Sequence, residues 1–467
     1  MGLRYQVMRV TDMLRATKLA GDVRKTDEWP RAKLLELQQS RLRALVRHAV
    51  AHSPWHRERL ARFVDKPDLN LADLPTMDKA SMMANFDRAV CDPRLTLKVL
   101  DEHAANLRLD DELLFNEYRV FATSGTSGVR AYFAFDRQAW AWALSAYPRI
   151  SAQLGFRPRL PRVRMAQGTA SGPMHMTYRF AITSNIGVYR TLRFNVTEPI
   201  SNIAAKLQQF QPDAISTYPS IAAMLADEQL DGRLKISPQW ILTSSEQTTP
   251  DMLERIKRAW GQVPYNIYAS TETAGALAAE CPEHSGMHLF EDRVIVEALN
   301  AAGQPVADGE QGEKMLVTNL TNFSQPVIRY ELSDRLTLSS KPCACGRPTL
   351  LITDIGGRAE DVFQLKSTSG MPVPVHPNHF LEPIGETPWV RQYRVGFDGT
   401  AIDVVVIPRQ RVEREQIAQL EHKLDARLRK LGAEPPPIGV RIVDNIPRAP
   451  GPAGKHKLIQ LTGVAKH

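Results

Sequence analysis

The chain has 467 residues, of which 43% are hydrophobic and 24% charged, and 59 Lys+Arg against 51 Asp+Glu give it a net charge of +8. This length allows two or three domains with one large core, and the composition is that of an ordinary globular protein. No apolar run approaches the ~18 residues needed to span a bilayer, and the first residues lack the apolar segment of a secretion signal, which predicts a cytoplasmic protein.

The positive charge favours anionic small-molecule partners such as nucleotides or coenzyme A, or an acidic carrier protein. Basic residues are scattered along the chain rather than gathered in one block, so no nucleic-acid partner is expected. Four cysteines in a chain without a secretion signal do not predict a disulfide framework. The oligomeric state is left open, with a homodimer as one option.

Residues 1–30 are basic and predict an amphipathic helix, with one apolar face formed by Val7, Met8, Val10, Met13 and Leu14. A helix packed on the protein body is the favoured interpretation, and a helix on a membrane surface is the alternative. A second helical stripe runs from Leu42 to Val50 and ends at Ser53-Pro54.

A hairpin is predicted near residue 125, because two apolar runs flank a segment made only of glycine and hydroxyl residues. That segment is Thr123, Ser124, Gly125, Thr126, Ser127 and Gly128. Backbone N–H groups and hydroxyl donors in such a loop can form a concave binding site for phosphate oxygens. A Ser/Gly hairpin without a ligand is the alternative. The loop is not a Walker A motif, because it lacks the Gly-Lys-Ser/Thr ending.

From about residue 115 to 300, short apolar runs alternate with helical patterns, which predicts a parallel sheet covered by helices. The expected strands are Val163–Met165, Ala214–Ser216, Trp240–Thr243 and Tyr265–Tyr268, and the expected helices are Asn202–Phe210, Ser220–Glu228 and Pro250–Trp260. Ligands of such folds lie outside the carboxyl ends of the strands, where Thr243–Glu246 and Tyr268–Glu272 are expected.

From about residue 290 the pattern changes to short strands separated by Gly and Pro, which predicts a β-rich subdomain. The expected strands are Val294–Val296, Met315–Thr318, Val327–Tyr330 and Leu350–Thr353. After Gly357, a strand–strand–helix–strand order predicts a small separate domain, with its helix over about residues 411–431.

Five stretches stand in an order and spacing that resemble the core motifs of the ANL adenylate-forming superfamily, with the spelling closest to its phenylacetate–CoA ligase and coenzyme F390 synthetase branch. They are Thr123–Arg130, Tyr268–Glu272, Arg329–Asp334, Gly357–Asp361 and Gly454-Lys455. The resemblance covers nearly the whole chain. It implies an α/β fold with a large N-terminal adenylate-forming domain (1–357), its β-rich subdomain at about 290–357, and a small mobile α+β C-terminal domain (358–467) that carries the catalytic lysine.

The resemblance implies ATP-dependent activation of a carboxylic acid, with release of pyrophosphate and transfer of the acyl group to a thiol, and the resemblance to this branch implies an aromatic acid. Coenzyme A and the phosphopantetheine of an acyl carrier protein are both open as thiol acceptors. Two alternatives remain: adenylyl transfer to an acceptor, as in the F390 branch, and a non-catalytic, zinc-stabilised binding protein on the same scaffold.

Site residues follow from the matching motif positions. Glu272 would hold Mg²⁺, Asp334 would accept hydrogen bonds from the ribose hydroxyls, and Arg358 would contact the ribose or phosphates. Tyr268, Ser245 and Glu246 would flank adenine, and Ala269, Ser270 and Thr271 complete the nucleotide-binding motif. Lys455 is the expected catalytic lysine, with Lys457 as its rival, and Glu360 or Asp361 is the expected hinge.

The acid would lie between Gln167–Gly172 and Thr217–Ser220, the candidate pocket walls by the same resemblance. A separate set of residues, Cys281, His288, Cys343 and Cys345, would give a closed tetrahedral site for structural Zn²⁺. His284 is the competing imidazole, and reduced thiols in loops are the alternative to a metal site.

Overall fold

A computed structural model describes residues 3–107, 113–123, 131–169, 172–358, 363–375, 378–385, 387–447 and 458–461. Within these ranges the α-helices are α1 (Leu3–Thr26), α2 (Arg31–His52), α3 (Pro54–Leu60), α4 (Lys79–Ala84), α5 (Phe86–Ala89), α6 (Leu97–Asn106), α7 (Arg137–Gln153), α8 (Met176–Ser184), α9 (Ile200–Phe210), α10 (Pro219–Leu230), α11 (Pro250–Trp260), α12 (Asn378–Gly385) and α13 (Arg414–Lys430). None of the helices described combines the length and the apolar character that crossing a bilayer requires.

The strands form one large sheet and several small ones. They are β1 (Arg119–Thr123), β2 (Ala131–Phe135), β3 (Arg164–Thr169), β4 (Arg190–Asn195), β5 (Ala214–Thr217), β6 (Trp240–Ser244), β7 (Tyr265–Ser270), β8 (Gly275–Glu280), β9 (Met287–Leu289), β10 (Val294–Leu299), β11 (Lys314–Asn319), β12 (Tyr330–Leu332), β13 (Asp334–Ser339), β14 (Leu351–Arg358), β15 (Phe363–Lys366), β16 (Pro372–Val375), β17 (Val390–Phe397), β18 (Ile402–Pro408), β19 (Ile438–Ile442) and β20 (Ile459–Leu461).

The large sheet has the order β13-β14-β9-β8-β7-β6-β5-β3-β4 in the described part of the chain. Strands β4, β3, β5, β6 and β7 are parallel to their neighbours, and the pairings from β7 to β13 are antiparallel. Helices connect the parallel strands, as the alternating sequence pattern predicts, and the α/β fold class is confirmed. The carboxyl ends of β5, β6 and β7 therefore lie side by side at one edge.

The strands β1 and β2 form the predicted antiparallel hairpin, with Thr123 opposite Ala131. All five residues of β2 are buried, and residues from both strands belong to the main hydrophobic cluster, together with Ala274 and Tyr330. The hairpin is thus packed on the same core as the connection between β7 and β8.

Residues after 290 form a three-stranded sheet, β10-β11-β12, while β13 and β14 extend the large sheet. The predicted strand Val327–Tyr330 is wrong: the strand begins only at Tyr330. Arg329 has a φ of 50° and cannot continue a strand. Its guanidinium is held by Glu297 at 2.9 Å, which fixes this bend in the buried interior.

The helix α1 packs against α7, and its Asp12 forms ion pairs with Arg119 and Arg137, both at 2.8 Å. The predicted single apolar face is wrong, because its members divide between two faces. Met13 is buried with the core, whereas Val7, Val10 and Leu14 are exposed.

The C-terminal residues form a four-stranded sheet, β19-β18-β17-β20, covered by α12 and α13 around a hydrophobic cluster of their own. Two arginines of this part contact Asp227 on α10: Arg409 Nη1 at 2.9 Å and Arg391 Nε at 3.4 Å. Asp227 is 3% exposed, so these ion pairs are largely shielded from water.

Candidate active site and metal cluster

Glu272 lies in the turn between β7 and β8, at the edge where the parallel strands end. Tyr268, Ala269 and Ser270 are the last residues of β7, and the Ser270 hydroxyl is 3.0 Å from the Thr273 hydroxyl. The Asn319 amide donates a hydrogen bond to the Glu272 backbone oxygen at 3.3 Å. These contacts fix the backbone on both sides of the Glu272 carboxylate.

Gly275 ends this turn with a φ of +99°, and a Cβ atom there would lie 2.7 Å from two ring atoms of Phe180. We therefore expect Gly275→Ala to lower the free energy of unfolding by about 3 kcal/mol, from backbone strain plus the steric clash. Gly303→Ala is the control, because Gly303 has a φ of +79° and no atom within 4 Å of its Cβ position. Urea unfolding measures both, and equal losses would contradict the close approach to Phe180.

Asp334 and Arg358 are directly opposite each other on the antiparallel strands β13 and β14. The Tyr268 hydroxyl donates a hydrogen bond of 2.9 Å to Asp334 Oδ2. Three stretches that are far apart in the sequence thus meet within a few ångströms. A carboxylate oriented by a phenol can accept further hydrogen bonds from a polyhydroxyl ligand.

Tyr330 connects this region to the hairpin, and the sequence analysis did not single it out. Its ring centroid lies 6.1 Å from that of Phe133 on β2. Burial raises the pKa of Tyr330, and the negative charges of Glu272 and Asp78 raise it further. The Glu272 carboxylate therefore acts electrostatically on a side chain that packs against the hairpin strand β2. Its position inside the Arg329–Asp334 motif is the sequence feature that could have identified it.

Ser245 and Glu246 follow β6, as predicted, and Ser245 adopts a left-handed φ of 74°. The Ser220 backbone N–H donates to Glu246 Oε2 at 3.3 Å, at the start of α10. A carboxylate at this helix N-terminus is favoured by the helix dipole. Glu246 thus ties the end of β6 to the first turn of α10.

The predicted pocket walls also meet at the ends of two adjacent strands. A Cβ atom on Gly168 would lie 2.3 Å from Thr217 Oγ1, so β3 and β5 approach closely here. In the described part of the chain, the buried atoms Thr217 Oγ1 and Gln167 Oε1 have no hydrogen-bond partner. Buried polar atoms are normally paired, which makes both candidates for contact with a ligand. Ala170 and Ser171 lie outside the described residues.

Several predicted site residues lie outside the described ranges. They are Ser124, Gly125, Thr126, Ser127 and Gly128 of the hairpin loop, the hinge candidates Glu360 and Asp361, and the lysines Lys455 and Lys457. Thr123 is described and is the last residue of β1.

The side chains of Cys281, His288, Cys343 and Cys345 converge, with their four ligand atoms within 4.8 Å of one another. The Sγ atoms of Cys281 and Cys343 are 3.7 Å apart, and Cys345 Sγ is 3.2 Å from His288 Nε2. Sulfur ligands of tetrahedral zinc, at about 2.3 Å from the metal, lie about 3.8 Å apart. The donor set and its spacing therefore fit Zn²⁺, and 3.7 Å is too long for a disulfide.

His288, rather than His284, is the imidazole of this cluster. Its Nδ1 is 2.9 Å from the Thr349 hydroxyl, which leaves Nε2 directed at the thiols. His284 instead contacts Glu280 at 3.1 Å and stacks on Tyr265. Thr349 was not predicted; it acts as the hydrogen-bonding partner that typically orients a metal-binding histidine.

The thiols and the imidazole have shifted proton affinities. Burial lowers the pKa of His288 to about 4, with Arg347 and Arg149 adding to the shift, so the ring is neutral. Burial raises the pKa of Cys281 to about 12. Burial opposes ionisation of Cys345 too, but the backbone and side chain of Arg347 outweigh it and lower its pKa. A neutral imidazole and a thiol with a lowered pKa favour binding of a divalent metal, because metal ligands must be deprotonated.

No protein-family model matches the sequence. The chain is 29% identical over 363 residues to phenylacetate–coenzyme A ligase of Escherichia coli, covering 73% of this chain and 74% of that protein. It is 25% identical over 362 residues to the phenylacetate–coenzyme A ligase of Thermus thermophilus, covering 74% and 75%. The fold is similar to that of 2-hydroxyisobutyryl-CoA ligase in the postadenylation state in complex with 2-HIB-AMP, with a TM-score of 0.72, 18% identity, and 91% and 89% of the two chains covered.

The similarity in sequence to two ligases and the shared fold agree with the motifs that meet at the sheet edge. The chain is similar in sequence to phenylacetate–coenzyme A ligases and shares the fold of 2-hydroxyisobutyryl-CoA ligase.

Proposed function

We propose that this protein is an AMP-forming acid–thiol ligase that activates a small carboxylic acid with ATP and Mg²⁺. The observation that carries the proposal is the hydrogen bond between Tyr268 and Asp334, opposite Arg358, beside the turn that holds Glu272. Tyr268 and the Glu272 turn lie at the carboxyl end of the parallel strand β7, where nucleotides bind in such folds, and the hydrogen bond to Tyr268 brings Asp334 to the same place.

In the first step, a carboxylate oxygen of the acid attacks the α-phosphorus of ATP, and pyrophosphate leaves. Glu272 would hold Mg²⁺, which would neutralise negative charge on the phosphates, and Thr123–Gly128 would supply hydrogen-bond donors to them. Asp334 accepts hydrogen bonds from the ribose hydroxyls, and Arg358 lies at the ribose or phosphate. Tyr268, Ser245 and Glu246 flank adenine, and Lys455 stabilises the charge that moves between carboxylate and phosphate.

In the second step, a thiolate attacks the acyl carbon, the acyl–thioester forms and AMP leaves. The acceptor is coenzyme A or the phosphopantetheine of a carrier protein. We assign residues 1–357 to a large domain and residues 358–467 to a small domain that changes position between the steps, with Glu360 or Asp361 as hinge. The separate hydrophobic cluster of the C-terminal residues supports this division.

The acid is aromatic in this proposal. The phenylacetate–coenzyme A ligases to which the chain is similar support this choice. Because the proposed reaction consumes ATP and uses a thiol acceptor, we assign the protein to the cytoplasm.

ATP–pyrophosphate exchange with a panel of carboxylic acids tests the first step. We expect exchange with at least one aromatic acid and only in the presence of Mg²⁺. Exchange with none of the acids, together with no binding of ATP, would contradict the proposal and favour a non-catalytic binding protein. Product formation that needs no thiol would instead favour adenylyl transfer.

We also propose that Cys281, His288, Cys343 and Cys345 hold one structural Zn²⁺. All four ligand positions of a tetrahedral ion are filled by protein, so the metal stabilises the fold and leaves no position for a substrate. The site joins β9 and the connection between β8 and β9 to the connection between β13 and β14.

Metal analysis of chelator-washed protein should give about one zinc per chain. Cys343→Ser and His288→Ala should lose that zinc and lower Tm by roughly 5 °C, because an oxygen or a methyl group cannot replace the ligand. Cys91→Ser and His284→Ala, which change residues outside the cluster, should keep it. Zinc lost with His284→Ala but kept with His288→Ala would contradict the ligand assignment.

A further inference from the structure

A group of charged side chains connects the helices α10 and α11 to the C-terminal sheet. Asp227 Oδ1 lies 2.9 Å from Arg409 Nη1, and Asp227 Oδ2 lies 3.4 Å from Arg391 Nε. Arg391 also lies 3.2 Å from Glu228. Arg409 lies 3.8 Å from Asp251. Among the residues that the structure describes, every ion pair between the two proposed domains ends on one of these two arginines. We call this group the interdomain network: Asp227, Glu228, Asp251, Arg255, Arg391 and Arg409.

The carboxylates of the network also have partners within the large domain. Arg255 Nη1 lies 2.9 Å from Asp227, and Arg255 Nη2 lies 2.9 Å from Asp251. Glu228 is paired with Arg233 at 2.6 Å. If the small domain moved away, all three carboxylates would keep an arginine of the large domain, and the arginines of the small domain would be hydrated. The network can therefore open without leaving a buried charge unpaired, which is the strongly destabilising case.

The end of the C-terminal sheet that carries the two arginines is also the end to which the Lys455 segment is attached. Arg391 is the second residue of β17, and Arg409 directly follows the antiparallel strand β18. The strand β19, parallel to β18, ends at Ile442 near this end. The strand β20 is parallel to β17 and begins at Ile459, so the chain enters it from the same side. Lys455 belongs to the segment between β19 and β20, whose attachment points therefore face the large domain.

We propose that the interdomain network holds the small domain in the position for adenylate formation, with Arg391 and Arg409 as positioning residues for that step. The inference rests on the proposed function, in which the small domain changes position between two steps. Its two arginines meet three carboxylates and two arginines of the large domain, so the charges of the two sides are complementary. Asp251 lies in the first turn of α11, five residues after Glu246 of the proposed adenine site, so the contact is next to that site.

A permanent interface between the two domains is the alternative, and the composition of the contact argues against it. In the described part of the chain, no hydrophobic cluster contains side chains from both domains. The side chains of Arg391 and Arg409 stay 29% and 28% exposed. Domain contacts that are polar and partly hydrated allow relative motion, whereas permanent ones are large and apolar.

The rates of the two half-reactions test the proposal. Each step uses one position of the small domain, so the ratio of the two rates follows the ratio of the two positions. Arg391→Gln/Arg409→Gln should raise the ratio of thiol transfer to adenylate formation about 10-fold, since each partly exposed ion pair contributes a factor of about 3 to 5. Arg391→Lys/Arg409→Lys keeps both charges and should change the ratio by less than about 3-fold.

The matched control is Arg411→Gln/Arg414→Gln, which removes two exposed arginines of the same domain and should leave the ratio unchanged. Thiol transfer is measured from a synthetic acyl-adenylate, and adenylate formation by pyrophosphate exchange. A variant that is merely less stable would lower both rates together and leave their ratio as it was.

A disulfide between the domains tests the position itself. A Cβ atom on Gly385 would lie 3.3 Å from Asp251 Cβ, near the roughly 3.5–4.5 Å of a disulfide. Asp251→Cys/Gly385→Cys should therefore form a disulfide when it is oxidised with diamide in the absence of substrates. Asp251→Cys alone is the control for oxidation of the native cysteines. The linked protein should still form adenylate, and its thiol transfer should fall at least about 10-fold until the disulfide is reduced.

Four results would overturn the proposal: an equal rate ratio in Arg391→Gln/Arg409→Gln and its control, no disulfide in the cysteine pair, a linked protein that forms no adenylate although the reduced protein does, or one that transfers the acyl group as fast as the reduced protein. Failure of the proposed function gives a different result, because disulfide formation needs no activity. Pyrophosphate exchange with no acid, in a protein that forms the disulfide, would contradict the function and leave the contact between the domains in place.

Discussion

Lys455→Ala should slow adenylate formation by about 100- to 1000-fold, the loss typical of a group that stabilises charge only in the transition state. Lys455 follows Gly454 in the motif near the end of the chain, in a Pro/Gly-rich segment. An ammonium there can bridge the carboxylate and the α-phosphate while charge moves between them. Transfer of the acyl group from a preformed adenylate to the thiol should change by less than about 3-fold, because in the proposal the small domain changes position and withdraws Lys455 before the thiol attacks.

Pyrophosphate exchange measures the first step, and thioester formation from a synthetic acyl-adenylate measures the second. Lys457→Ala is the matched control, since it removes the same charge two residues further on. It should leave both steps within about 3-fold of the unchanged protein. Equal losses of both steps in Lys455→Ala, or a larger first-step loss in Lys457→Ala, would contradict the role assigned to Lys455.

Glu272→Gln should lower the rate of adenylate formation by about 100-fold and raise the Mg²⁺ concentration needed for half-maximal rate by a similar factor. The reason is that a neutral amide is a much weaker ligand for a hard cation than a carboxylate. The turn itself should persist, because its hydrogen bonds run through the Glu272 backbone oxygen and through Ser270 and Thr273.

The matched control is Glu283→Gln, at an exposed position in the loop between β8 and β9. It removes the same charge from the same region of the chain and should leave the Mg²⁺ dependence unchanged. A Glu272→Gln protein that is folded, slower, and unchanged in its Mg²⁺ midpoint would show that Glu272 acts by another route than metal binding.

Local elements were the most predictable part of the fold. The helix over Pro250–Trp260 was predicted with its observed bounds, because its ends carry their own signals. The Thr249 side chain accepts from the Met252 N–H, and Gly261 has a φ of 74°, which favours glycine after a helix. Such capping depends on neighbouring residues alone and can be identified in one sequence.

Pairing between distant strands was less predictable. The strand predicted at Leu350–Thr353 was expected in a β-rich subdomain, and no strand was predicted at Asp334–Ser339, yet β14 and β13 both extend the large sheet through β9. Strand partners depend on contacts across long stretches of chain, which apolar patterns do not encode. The bend at Arg329 was missed for a similar reason, because its φ of 50° is held by Glu297 and by the Ala72 and Leu74 backbone oxygens.

The residues of the candidate site that lie within recognisable motifs were predictable from the sequence. Order and spacing pointed to Tyr268, Asp334 and Arg358 separately, and the structure brings them together. Tyr330 could not be assigned from its position alone, because its link to Glu272 depends on packing against the hairpin. The choice between His284 and His288 likewise needed the fold: both follow Cys281 closely, and only the strand β9 directs one ring to the thiols.

The most direct test of the account uses an acid whose carboxylate carries ¹⁸O at both oxygens, incubated with ATP, Mg²⁺ and coenzyme A. If the carboxylate attacks the α-phosphorus and the thiol then displaces AMP, mass spectrometry will find one ¹⁸O in the AMP and one in the thioester. AMP without ¹⁸O, or ADP and phosphate in place of AMP and pyrophosphate, would contradict the adenylate mechanism.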